Sequence, residues 1–223
     1  MNRGLLIRGL LMVGLLAFLL LLLAGRTSYW QAWVFGAVNA VLVVTLSVLL
    51  ADQSNLIRDR MKPGEHTKPW DRVLMMVFFP LSAGVVVFAA LDGGRLGWSP
   101  TIPVWVYPIA YVVYAVSAYL HLWAISSNEF YTSTVSIDPA GSHVVVDVGP
   151  YGYVRHPGYT GIMFMEVGIA IVLGSLWALI PAVAVALLLV IRGRLEDTAL
   201  LRELPGYAEY AERVKYRLLP RIW

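Results

Sequence analysis

Residues 159–191, YTGIMFMEVGIAIVLGSLWALIPAVAVALLLVI, decide the architecture. They form two apolar runs, Tyr159–Leu173 and Leu176–Ile191, that meet at Gly174-Ser175. Each is shorter than the roughly 20 helical residues needed to cross a bilayer core of about 30 Å. The Gly-Ser pair between them is turn chemistry. The stretch therefore reads as a helical hairpin that need not span fully. Glu166 is the lone acid in its first arm. A charge at bilayer depth costs roughly 2.5–3.5 kcal/mol on insertion scales, so such a residue either serves a pocket or is held protonated against a neighbouring helix. It lies about two helical turns after Tyr159, so both can face one pocket.

Working outward, four longer apolar stretches precede the hairpin: Leu5–Leu23, Trp30–Ala51, Val73–Leu91 and Ile102–Ile125. The chain is 59% apolar and 14% charged over 223 residues. An average soluble domain is about 45–50% apolar and about 25% charged. The expectation is an all-α integral membrane protein with five to six transmembrane helices, the last two a hairpin. A short extended flap and a C-terminal cytoplasmic helix complete it. No small-x-small cleavage site follows the first run, so it reads as a retained helix. Residues 1–125 form a four-helix transmembrane region, and 126–223 a C-terminal region that carries the chemistry.

Lys and Arg set the orientation. With the hairpin in place, one side carries Arg3, Arg8, the 52–72 loop, Arg155 and the tail from Arg192 onward; the other carries only Arg26 and Arg95. Both termini then face the cytoplasm, in a cell inner membrane. The net charge of +3 is accounted for by anionic lipid on that side, without nucleic acid. With no cysteine there is no disulfide frame and no thiolate metal site. His66, Glu65 and Asp71 lack metal-ligand spacing, and Asp92-Gly93-Gly94-Arg95-Leu96-Gly97 follows no strand and reads as a turn.

Between Phe130 and Val148 the pattern changes. Ser133–Ile137 alternates, Asp138-Pro139-Ala140-Gly141 is a turn signal, and His143–Val148 is β-branched, which suggests a short hairpin or extended flap. It leads into Gly149-Pro150-Tyr151-Gly152-Tyr153-Val154-Arg155-His156-Pro157-Gly158-Tyr159-Thr160-Gly161. Glycines there let a ligand approach the backbone closely. Pro157 suits a helix start, whose free N–H groups can hold a carboxylate. Arg155 adds a bidentate cation. The same residues also suit a plain interfacial turn with an aromatic belt.

Two further features bear on chemistry. Arg192-Gly193-Arg194-Leu195-Glu196-Asp197 ends the last apolar run; its acids can hold a cation or a ribose, or Glu196 can simply pair with Arg192 on a solvated face. Tyr114, Ser117, His121 and Asn128 share one face of the fourth stretch, either lining a substrate pocket or bonding between helices.

Taken together, Asn128-Glu129-Phe130, His143-Val144-Val145, Gly149-Pro150-Tyr151, the Arg155-His156-Pro157-Gly158-Tyr159 core, Glu196-Asp197, Gly206-Tyr207 and Arg217–Trp223 resemble the isoprenylcysteine carboxyl methyltransferase family, most closely its small bacterial-type members. The resemblance is strong over about 120–223. It implies S-adenosylmethionine as cofactor, bound near the cytoplasmic face and closed over by the C-terminal segment. Gly149, Tyr151, His156, Pro157 and Tyr159 match the cofactor-binding turn, and Glu196 and Asp197 match an acid pair that is more often Glu-Glu. Arg155 matches a basic residue near the reacting group, so it and Glu166 are the catalytic candidates, with His121 and Asn128 in the substrate pocket. Glu166 matches no family motif. The implied partners are a lipidated or other hydrophobic acceptor and the membrane lipid, with no metal and no nucleic acid.

A carboxylate acceptor, ionised above a pKa of about 4, needs no general base, whereas an amine needs a carboxylate such as Glu166. Alternatives to carboxyl O-methylation are therefore a phospholipid-type N-methyltransferase, a membrane NADPH-dependent reductase on the same scaffold, and a non-enzymatic membrane protein. Few basic residues surround the candidate site, which weighs against the phosphates of NADPH. Polar clusters at one face rather than the midplane weigh against a transporter.

Overall fold

Long apolar runs form helices because a bilayer leaves backbone N–H and C=O groups no other partner, even where a run carries an interior proline such as Pro80. The computed structural model describes residues 3–49, 60, 62–64, 66–137 and 143–223. Among them the helices are α1 (Arg3–Ala24), α2 (Trp30–Leu49), α3 (Pro69–Leu91), α4 (Val106–Ser127), α5 (Pro157–Val172), α6 (Leu179–Glu203) and α7 (Tyr207–Arg213). Three described segments are long and apolar enough to cross a membrane: Leu6–Ala24, Pro69–Leu96 and Val106–Ser127. Trp30–Thr45 and Pro157–Val172 are apolar but shorter. With 16 residues, α5 rises about 24 Å, less than the bilayer core. Helix α6 runs past the apolar stretch to Glu203, so its first half is membrane-like and its second half is charged. Large apolar side chains such as Met12, Phe18, Met76, Phe79 and Val112 point outward, as lipid-facing residues do.

The hairpin expected between α5 and α6 is present. Gly174 adopts φ +80°, the left-handed conformation that ends a helix, and its N–H donates to the Ile171 carbonyl at 2.9 Å. The buried Tyr29 hydroxyl donates to the Leu173 carbonyl. Across this end of the bundle, fully buried Asp92 accepts from Ser175 Oγ at 2.6 Å and from the Ser99 N–H at 2.8 Å. The Asp92–Leu96 segment is one wide turn of helix whose acid ties α3 to the hairpin.

Helices α4 and α5 are the most closely packed pair. A Cβ on Gly161 would stand 2.8 Å from the Ser117 carbonyl oxygen, and one on Gly168 would stand 3.1 Å from Tyr114 Cβ. Small residues here bring two backbones together, which is how membrane helices associate when burying apolar surface gains little.

The extended flap differs in its pairing from a hairpin. Residues 132–137 do not ladder with 143–148. They lie against the 62–68 segment, with an antiparallel bridge between Thr67 and Ser136 and a Lys68 N–H to Val135 carbonyl bond of 2.9 Å. Alternation in 133–137 signals an extended strip but does not say which partner takes its backbone groups. The expected turn at Asp138–Gly141 and most of the 52–61 loop lie outside the described residues.

Candidate functional site

The site lies at the end of the bundle where α4 finishes, α5 begins and α6 becomes charged. A helical turn at Gly149–Gly152 precedes it. Gly149 has φ +61°, and a Cβ there would come within 2.5 Å of Ser127 Oγ, so only glycine fits. The turn places Tyr151 inward. Its carbonyl accepts from the Tyr210 hydroxyl at 2.9 Å, and Asn128 bonds its hydroxyl.

His156 and Pro157 open α5, Pro157 being at a position where a missing N–H costs nothing. The chain's last residues cross this start. The Arg155 N–H donates to the Tyr216 carbonyl at 2.9 Å, the His156 N–H to the Arg217 carbonyl at 2.8 Å, and Thr160 Oγ1 to the Leu218 carbonyl at 2.7 Å. Leu218 then packs with Tyr159, Val185 and Leu189.

Asp197, 2% exposed, is the electrostatic hub. It accepts from Arg155 Nη2 at 2.7 Å, His156 Nε2 at 2.9 Å, the Tyr207 hydroxyl at 2.6 Å and Arg217 Nε at 2.5 Å. Burial alone would raise its pKa. The hydrogen bond and charge of His156, the Tyr207 hydroxyl and the Arg155 charge outweigh that and hold it well below the usual carboxylate range. His156 also reaches Glu196, with Nδ1 3.3 Å from Oε2. Burial works to lower its pKa, yet bonds to Asp197 and Glu196 push it up to about 9. The imidazole is thus a cation at pH 7, donating from both nitrogens to two acids.

Glu196 is set differently. Its side chain is 22% exposed. Its Oε2 takes the Tyr159 hydroxyl at 2.6 Å, and among the described residues Oε1 has no hydrogen-bond partner. Burial raises its pKa, and His156, Arg192 and Tyr159 bring it below the ordinary value. Tyr159 stacks on His156 with ring centroids 5.3 Å apart and planes 6° apart. Arg192 lies over the Tyr159 ring, 5.0 Å from its centre.

Arg155, His156, Tyr159, Glu196 and Tyr207 border one open pocket. The lining includes Asn128, Tyr151, Arg155, His156, Gly158, Tyr159 and Glu196, together with Thr132, Thr134–Ser136, residues 143–146, Tyr207 and Tyr210. Burial pushes the Tyr131 hydroxyl, also in the lining, up to about 12, so it stays neutral. Among the described residues no group of His, Asp and Glu has metal-binding geometry.

Not every residue singled out in the sequence meets the pocket. His121 lies behind it, its Nδ1 3.2 Å from the Gly158 carbonyl. Glu166 is 3% exposed and deep in the bundle, accepting from Ser82 Oγ at 2.5 Å. Asp197 is not one of the pocket-lining residues but bonds Arg155, His156 and Tyr207, which are. Arg155 spends Nη1 and Nη2 on the Ala211 and Val214 carbonyls and Asp197, and its buried Nε has no partner. The pairing of Arg192 with Glu196 on a solvated face is absent. Arg192 is 5% exposed and forks onto Asp71, Nε to Oδ1 at 2.7 Å and Nη2 to Oδ2 at 3.0 Å.

Sequence reading weighed Asp71 only as a metal ligand, because its partner Arg192 stands far along the chain. It passed over Tyr131 and the 132–136 wall because flap polarity looks the same with or without a pocket behind it. Tyr207 and Tyr210 belonged to a recognisable pattern, and their helical spacing was the available signal.

Comparison with known proteins agrees with this geometry. No curated protein matches the chain by sequence. The fold is similar to that of a solved structure of the eukaryotic intramembrane Ras methyltransferase ICMT (isoprenylcysteine carboxyl methyltransferase), with TM-score 0.56, over 95% of this chain and 74% of that one. Identity is 18%, so the likeness is one of fold. The model of the isoprenylcysteine carboxyl methyltransferase family matches residues 109–202, a span that includes the 149–161 turn and both acids. Over that span, this integral membrane chain is similar to the isoprenylcysteine carboxyl methyltransferase family.

Proposed function

We propose that this protein is a membrane methyltransferase that uses S-adenosylmethionine to methylate a carboxylate on a lipidic or hydrophobic acceptor, as in carboxyl O-methylation of isoprenylcysteine. The observation that carries this reading is the meeting of the 149–159 turn with Glu196 across a single open pocket.

The residues fit such a donor by their chemistry. Glu196 has an oxygen without a partner among the described residues, suited to a ribose hydroxyl or an α-amino group. Tyr151, Tyr131 and Tyr207 give aromatic surface suited to an adenine and, by cation–π attraction, to a sulfonium. His156⁺ and the start of α5 are positive, suited to a carboxylate. Bound there, the donor supplies an electrophilic methyl whose transfer to a carboxylate oxygen leaves an ester and a neutral thioether.

The chain's own task is then alignment and exclusion of water. Tyr159, Glu196 and the 132–136 wall form a fixed frame. The C-terminal segment covers the start of α5 and shields it. Asp197 fixes Arg155 and His156, and Arg155, in the pocket lining, supplies positive charge for an acceptor carboxylate. An ionised carboxylate needs no general base. Glu166, outside the pocket lining, is not required for the step, so carboxyl rather than amine methylation is favoured. The acceptor's apolar part would reach the site from the bilayer. Both termini and the pocket face the cytoplasm of a cell inner membrane, in keeping with the Arg and Lys distribution.

Calorimetry on detergent-solubilised protein tests the reading. S-adenosylhomocysteine is expected to bind with a Kd on the order of micromolar, about −8 kcal/mol. Absence of heat at millimolar ligand would remove it.

A further inference from the structure

We propose that Asp71 is a positioning residue for the donor pocket, acting from the N-terminal half of the chain through Arg192 and the 133–135 backbone. This deepens the methyltransferase reading and rests on it.

Asp71 stands in the first turn of α3, is fully buried, and is not itself one of the pocket-lining residues. Each of its oxygens is committed. Oδ1 takes Arg192 Nε at 2.7 Å; Oδ2 takes Arg192 Nη2 at 3.0 Å and the Val135 N–H at 2.6 Å. Arg192 in turn gives Nη2 to the Ser133 carbonyl at 3.0 Å. One carboxylate and one guanidinium therefore hold two backbone groups of the 132–136 strip, which supplies Val135 to the pocket lining. A planar fork can do this because its donors point in fixed directions; an ammonium cannot.

The same guanidinium lies over the Tyr159 ring, whose hydroxyl bonds Glu196 and whose face stacks on His156. Asp71 thus sets the strip at Val135 and, through Arg192, the Tyr159 ring. The 62–68 segment supports the same strip. Its Gly64 N–H donates to Thr134 Oγ1 at 3.0 Å, and Thr67 Oγ1 stands 2.7 Å from Thr134 Oγ1. Val135 and Tyr159 both line the pocket, so both ends of this linkage bear on the space available to the donor. Without Asp71, Arg192 loses its counter-charge and the Val135 N–H loses its acceptor, so both are released together.

The role belongs to binding geometry rather than to the reacting atoms. Asp71→Asn removes the charge and keeps the shape. It is expected to raise the Kd for S-adenosylhomocysteine and the KM for S-adenosylmethionine about tenfold, the loss of one charge-assisted bond. Turnover at saturating donor is expected to stay within about threefold. Arg192→Lys keeps an ion pair with Asp71, and so the fold, but cannot bridge to Ser133. It is expected to raise the same two constants about fivefold or more. A fall in turnover with unchanged Kd and KM in either variant overturns the proposal, as does parent-like binding by Arg192→Lys. If Asp71→Asn does not fold, Arg192→Lys decides. Failure of the parent to bind the donor is a different result, since it refutes the methyltransferase reading itself.

Discussion

His156 lies between two carboxylates, and that placement fixes how stability depends on pH. Its pKa rises from 6.5 to about 9 on folding. A raised cationic pKa means that the folded state holds the proton more tightly, so the stabilisation is complete below about pH 6.5 and is lost as pH climbs through 9. At about 1.4 kcal/mol per pKa unit the shift is worth about 3 kcal/mol. For a chain of this length that is roughly 6–12 °C in melting temperature. The perturbation is His156→Gln, a neutral side chain that still carries a hydrogen-bonding amide. Melting curves of parent and variant in one detergent, recorded from pH 6 to pH 10, isolate the histidine, because every other titrating group is shared. The parent should lead by about this margin near pH 6, and the lead should shrink towards pH 10. A lead that does not change with pH would refute a protonated His156, and with it the picture of a cation held between Asp197 and Glu196.

Other outcomes follow from the same geometry. Asp197→Ala leaves Arg155 buried without its carboxylate partner and His156 with Glu196 alone, and should cost about 3–5 kcal/mol, seen as a large drop in melting temperature. Glu196→Gln, at a partly exposed side chain, should keep the melting temperature within a few degrees while weakening S-adenosylhomocysteine binding about tenfold or more by calorimetry. Gly161→Val should push α4 from α5 and cost about 1–3 kcal/mol through overpacking, read by thermal melt. Glu166→Gln should leave donor binding unchanged; a tenfold loss would place that carboxyl in the site after all.

Much of the site was legible because its signals are local. A glycine that must adopt φ +61° at 149, a proline at the first position of α5 and adjacent acids on α6 each follow from chemistry within a few residues. The bonds from residues 216–218 to 155, 156 and 160 were not legible locally; the family resemblance alone implied a covering tail. The role of Asp197 was legible only in part. Sequence named it a ligand-facing acid, whereas its carboxylate turns inward to two arginines, a histidine and a tyrosine. Neighbouring positions on a helix point about 100° apart, so adjacent acids cannot share one environment, and only packing chooses which of them is buried.

The amino-acid order by itself determined that the chain is a helical membrane protein with a hairpin at Gly174-Ser175 and its charged chemistry at one end. Apolar run length, turn residues and the distribution of Arg and Lys act through solvent and bilayer, which need no knowledge of distant contacts. Tertiary structure alone decided that the flap pairs with residues 62–68, that Arg192 serves Asp71 rather than Glu196, and that Glu166 and His121 stand outside the pocket lining. Those outcomes depend on which helix faces come together. Helices that are apolar on nearly every side carry little record of their partners, because lipid and protein offer such surfaces nearly equal solvation.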